Sequence, residues 1–127
     1  DVYVDRGAFT AEEGQAILQA GRDAGLGVRV HAEQVGYTGI AEAAAAIGAR
    51  SADHLERLDE AGIAAMARAG TVAVLLPTAM LYLRDIAPPV EALRAAGVRM
   101  AVAVTNADAV ANAALDDPTH NGPTAVW

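Results

Sequence analysis

At 127 residues with a net charge of −7 and only nine basic residues, scattered along its length, the chain has room for one domain and lacks the cationic surface a phosphate backbone requires. It contains no cysteine, which excludes a disulfide framework, a zinc ribbon and a thiol nucleophile. Its 54% hydrophobic content is mostly small side chains, with 4% aromatic, so packing must rely on close approach of helices to strands.

Apolar β-type runs are predicted at residues 2–4, 27–31, 51–54, 71–76 and 98–104. They recur every roughly 20 to 27 residues with helical patterns between them, the alternation of βα units around a parallel sheet. Thr10 and Glu13 form a capping box that opens the first helix, whose apolar stripe runs through Ile17 and Leu18 and stops at Gly25 and Gly27. A second helix is predicted from Thr38 through the alanine series to Gly48. A third starts at Asp59, carries Ile63, Met66 and Ala67 inward and ends at Gly70. Pro77 is expected to end the fourth strand and shape the rim. Pro88 and Pro89 then open a fourth helix with Val90, Leu93 and Ala96 on one face, before Gly97.

Residues 1–105 thus form the patterned region, and residues 106–127 a weakly patterned tail. The tail has room for a short helix through Ala109 to Leu115, followed by turn residues and no further strand. The chain opens in a strand without an initiating Met, which predicts a piece of a longer polypeptide. With no cysteine and no apolar run near the ~20 residues that span a bilayer, a cytoplasmic protein with no membrane partner is expected.

His31 in VRVHAEQ and His54 in SADHLERL each end an apolar run. A βα repeat collects the carboxyl ends of its strands on one face, so the two imidazoles are expected to converge there on a metal or a substrate. Glu33 and Gln34 lie just past the first of these strands. An amide at Gln34 suits a polar substrate, whereas Glu33 is more simply a solvated loop carboxylate. Asp53, next to His54, points to the opposite side of a regular strand and is assigned a structural role. Asp59 and Glu60 serve the start of a helix, and His120 is an ordinary exposed histidine of the tail.

Together VRVHAEQ and IGARSADHLERLDEAGIAAMARAGTVAVLLP resemble the imidazolonepropionase family of the amidohydrolase superfamily, over residues 2–104. The combination HAEQ, SADHLE and GTVAVLLP carries the likeness. The resemblance implies an α/β fold, part of a (β/α)8 barrel corresponding to its fourth through eighth strands. It also implies hydrolysis of 4-imidazolone-5-propanoate to N-formimidoyl-L-glutamate with one zinc or iron ion. By motif, His31 is a metal ligand, Gln34 contacts substrate, and His54 acts in proton transfer or transition-state stabilisation. Similar enzymes carry an H-x-H strand that this chain lacks, and an aspartate ligand in a T-D-x-N-P-G-T run where this chain has Thr105 and Asn106.

The chain alone is therefore expected to hold metal weakly and to be inactive, pairing with a second copy or with a complementary barrel half. Two other readings stand beside this one. The same histidines would serve an amidohydrolase that deaminates an aromatic ring, and a βα domain without its metal would act as a non-catalytic association module.

Overall fold

A computed structural model of the chain describes residues 1–103 and the backbone of residues 124–126. In chain order the elements are β1 (Val2–Tyr3), α1 (Ala11–Asp23), β2 (Arg29–Ala32), α2 (Ile40–Ile47), β3 (Ser51–His54) and α3 (Glu60–Ala69). They continue with β4 (Val72–Leu75), α4 (Pro77–Leu83), α5 (Val90–Ala95), β5 (Met100–Ala103) and β6 (Thr124–Val126). The strands form one sheet in sequential order, with β1 and β6 outermost among the described residues. The first five are parallel, and one row crosses them from Val2 through Val30, Ala52 and Ala73 to Met100. The expected α/β architecture of five parallel strands alternating with helices is what the chain forms.

Local chemistry sets the helix boundaries. Both halves of the capping box are made: the Glu13 N–H donates to Thr10 Oγ1 at 3.2 Å, and the Thr10 N–H donates to Glu13 Oε2 at 2.9 Å. Asp59 accepts from the Gly62 N–H at 2.8 Å and starts α3. Gly48 and Gly70 end α2 and α3 in the left-handed region, where a side chain would be strained.

Val30, Ala32, Ala52 and Ala73 turn to the helix layer and meet Leu18, Ile40, Ala44, Met66 and Leu93 in a single core. Small residues set the spacing of these layers. A Cβ at Gly14 in α1 would collide with the Val4 side chain, so glycine in mid-helix is accounted for by close packing. The alternate residues Arg29, His31, Ser51, Asp53, Val72 and Val74 lie on the other face.

Several features differ from expectation. The α1 stripe runs through Gly14 and Leu18, four residues apart, leaving Ile17 41% exposed. Of the three residues assigned to the inner face of α5, only Leu93 is buried. Pro77 does end β4, but as the first residue of α4, a position where its missing N–H costs nothing. Helix α4 escapes sequence pattern because Leu81, Tyr82 and Leu83 are all exposed, so no apolar stripe marks it. Residues 124–126, expected to form no strand, pair antiparallel with β5, Ala103 opposite Thr124. Three residues after a run of turn formers carry too little alternation to be recognised. Asn106, His120 and the helix predicted through Ala109 to Leu115 lie outside the described residues. Among the described residues, no helix is long and apolar enough to cross a membrane.

Candidate active site

Strands β2 and β3 are neighbours, with His31 opposite Asp53 and Ala32 opposite His54. Regular alternation would send His54 with Ala32 toward the helix layer. Instead its ring centroid lies 5.1 Å from that of His31, with the planes tilted by 43°. The cause is local: His54 and Leu55 have φ of 78° and 72°, so the chain leaves the pleat at the histidine itself. Two successive non-glycine residues in the left-handed region cost of order 1–3 kcal/mol each, strain that only a well-determined surrounding retains.

Asp53, which precedes that departure, keeps its regular place in the pleat. Expected to point away with a structural role, it shares the face of His31 in register. The ligand atoms of Asp1, His31 and Asp53 all lie within 4.8 Å of one another. Asp53 is half-buried and accepts from Ser51 Oγ at 3.1 Å; burial raises its pKa, against which the nearby His31 acts. His54, not Asp53, is the residue that breaks the alternation of β3.

His31 is partly exposed, and Tyr3 meets its ring edge-on at 5.7 Å. Its Nδ1 lies 3.3 Å from the Asp1 carboxylate. An ionised carboxylate only accepts, so Nδ1 is the donor in this contact. His54 is 6% exposed, and burial, aided by His31, pushes its pKa down to about 4. It is a neutral base at pH 7.

Glu56, to which sequence analysis assigned no role, faces His54. Its Oε1 lies 4.0 Å from His54 Nδ1, and burial pushes its pKa up to about 7. Neither His54 Nδ1 nor Glu56 Oε2 has a hydrogen-bond partner among the described residues. Two buried polar atoms without a partner on neighbouring residues are rare in a folded chain and single out this part of the rim.

Gln34 is held by its backbone. Its N–H donates to Asp5 Oδ2 at 3.1 Å, and the N–H groups of Val35 and Gly36 reach the same carboxylate at 2.7 and 2.9 Å. The Gln34 carbonyl accepts from the Arg57 guanidinium, which also pairs with Asp85 through two bonds of 3.0 and 2.7 Å. Tyr3 Oη donates to the Gln34 side-chain oxygen at 3.3 Å. Three successive strand-to-helix turns are thereby tied together around Gln34.

Glu33 is not solvated as expected. It is fully buried and accepts from the Thr38 N–H at 2.6 Å and the Ala41 N–H at 3.3 Å. Helix α2 starts at Gly39, which has no side-chain cap, and the Glu33 carboxylate takes over that task.

No protein-family model matches the chain. Imidazolonepropionase of Stenotrophomonas maltophilia strain R551-3 is 53% identical over 104 residues, covering 81% of this chain and 26% of the relative. Imidazolonepropionase of Rhizorhabdus wittichii strain RW1 is also 53% identical over 104 residues with the same coverage, and that of Shewanella sp. strain MR-4 is 47% identical. Among solved structures, a zinc-bound adenosine deaminase from Xanthomonas campestris superposes with a TM-score of 0.58 at 22% identity. That superposition covers 75% of this chain and 25% of the other, and it supports the shared fold. The chain is thus homologous over 104 residues to the imidazolonepropionases, and spans about a quarter of the length of the relatives it matches.

Proposed function

We propose that this chain contributes His31, His54 and Gln34 to a metal-dependent site that hydrolyses a cyclic amide, 4-imidazolone-5-propanoate, to N-formimidoyl-L-glutamate. The observation that carries the reading is the meeting of two imidazoles, 5.1 Å apart, at the carboxyl ends of adjacent parallel strands. Homology to an imidazolonepropionase at 53% identity over 104 residues supports the choice of reaction.

The side chains fit the ion that the reading needs. His31 and Asp53 present a nitrogen and an oxygen donor, types suited to zinc or iron, while the Asp1 carboxylate faces His31 Nδ1 and holds the ring in place; ligand atoms of the three lie within 4.8 Å of one another. When bound, such an ion lowers the pKa of a water molecule and polarises a carbonyl. His31, with Nδ1 turned to Asp1, offers Nε2. His54, neutral because it is buried, takes a proton from the attacking water and can return it to the leaving nitrogen. The Gln34 amide, on a turn fixed by Asp5 and Arg57, orients the polar ring of the substrate.

A site of this kind needs more ligands than the described residues bring together. We therefore expect the chain alone to be inactive, with a second copy or a complementary barrel half completing the site. The test is a chimera in which the 104 matched residues replace their counterparts in the Stenotrophomonas maltophilia enzyme. It should hydrolyse 4-imidazolone-5-propanoate, and His54→Ala should slow it by ~10²–10⁴-fold. A folded chimera with no turnover, or full turnover after His54→Ala, contradicts the assignment. Deamination of an aromatic ring in place of hydrolysis would move it to the deaminase reading.

A further inference from the structure

The opposite end of the sheet, where helices return the chain to strands, holds a cavity of about 210 Å³ with no part in the chemistry above. Arg22, in the last turn of α1, and Arg50, just before β3, line it together with Gly27 and Gly48. Both arginines are exposed, and neither guanidinium has a hydrogen-bond or ion-pair partner among the described residues. Asp23, the acidic residue adjacent to Arg22, accepts from Gln19 at 2.8 Å instead. In a chain of net charge −7, two cations converging on one cavity without a carboxylate are unusual.

Helix C-termini attract cations, and α1 and α2 both end here. Their last carbonyls are nevertheless occupied: Ala20 and Arg22 accept from Ala24 and Gly25, and Ala44 and Ala45 from Ala49 and Gly48. Two glycines make room for the guanidinium groups. A Cβ at Gly48 would collide with Arg22, and one at Gly27 would lie 2.7 Å from Arg50 Nε. Gly48 also needs its positive φ of 85°, but Gly27 has no such requirement, so the space for Arg50 is the feature that accounts for it.

We propose that this cavity binds a small oxyanion of the phosphate or carboxylate type, gripped by Arg22 and Arg50. A planar guanidinium pairs with two oxygens at once, and two of them match a ligand that carries at least three. The proposal is independent of the histidine site, from which the length of the strands separates it.

The test titrates the 127-residue chain with inorganic phosphate and, separately, succinate at low ionic strength, following backbone amide resonances of residues 25–28 and 48–50. Saturable shifts confined to those residues are expected at concentrations of about 1–10 mM. Whichever probe binds more tightly identifies the source of the oxygens. Replacing Arg22→Ala and Arg50→Ala together should weaken binding by at least ~10-fold, and Arg50→Lys by less, since it keeps the charge and loses the fork. Gly27→Ala, which moves Arg50 without changing charge, should weaken binding by ~3-fold or more. Both arginines are exposed, so circular dichroism of every variant should match the parent. Absence of saturable shifts below about 50 mM, or unchanged affinity in the double variant or in Gly27→Ala, overturns the proposal.

Discussion

The two ends of the sheet solve the same backbone problem in different ways. At the helix-to-strand returns, every left-handed position is glycine: Gly25, Gly48, Gly70 and Gly97. At the strand-to-helix turns, Glu33, His54 and Leu55 adopt the same conformation with full side chains and carry its strain. The first end is built for stability. The second spends stability to aim an imidazole, and recovers it through buried carboxylates that collect backbone N–H groups, Asp5 under the turn at residues 34–36 and Glu33 under α2.

The largest expected effect lies in that compensation. Asp5→Ala leaves three N–H groups of one turn without their acceptor and should cost roughly 3–5 kcal/mol in urea unfolding of the chain. A loss below about 1 kcal/mol would mean that the rim holds itself together without the carboxylate.

Next in size is the pH dependence of His54 and Glu56. His54 has its pKa pushed from 6.5 down to about 4, so its contribution to stability is full at neutral pH and is lost as pH falls from about 6.5 to about 4. Glu56 is pushed from 4.5 up to about 7, so its contribution is full below about 4.5 and is lost as pH rises toward 7. The two trends oppose each other in one window, and the parent chain should show little net change from pH 4.5 to 6.5. Glu56→Gln removes one of them. Stability should then climb with pH by up to about 3 kcal/mol, whereas an unchanged flat profile would mean that His54 is not buried as a neutral base.

The smallest effect belongs to the other end. Gly70→Ala meets nothing within 4 Å, so its cost should be the conformational penalty alone, about 1 kcal/mol. A much larger loss would show that the returns are as tightly packed as the rim.

What could be foreseen from sequence follows the same division. The βα alternation, the capping box at Thr10 and Glu13, the cap at Asp59 and the stops at Gly48 and Gly70 are local signals, and each appears where expected. His31 and His54 also converge as expected, since both lie at the carboxyl ends of neighbouring strands, although the rings meet only because His54 leaves the pleat. Asp53 and Glu33 were misplaced. The first depends on where β3 stops being regular, and the second on a helix whose own N-cap, Gly39, offers no side chain. Asp5 and Arg57 were not foreseen at all, since their partners lie about thirty residues away, on neighbouring turns that only the parallel register brings together. Glu56 follows His54 by two residues, but nothing in that spacing announces burial beside an imidazole.

The two rings at the rim are the centre of the proposed site. Proton NMR of the chain with histidines assigned by His31→Gln and His54→Gln tests it most directly. Nuclear Overhauser contacts between the ring protons of His31 and His54 are predicted, with the His54 ring remaining neutral to below about pH 5. Rings without mutual contacts, and a His54 that titrates near 6.5 like a free imidazole, would contradict it.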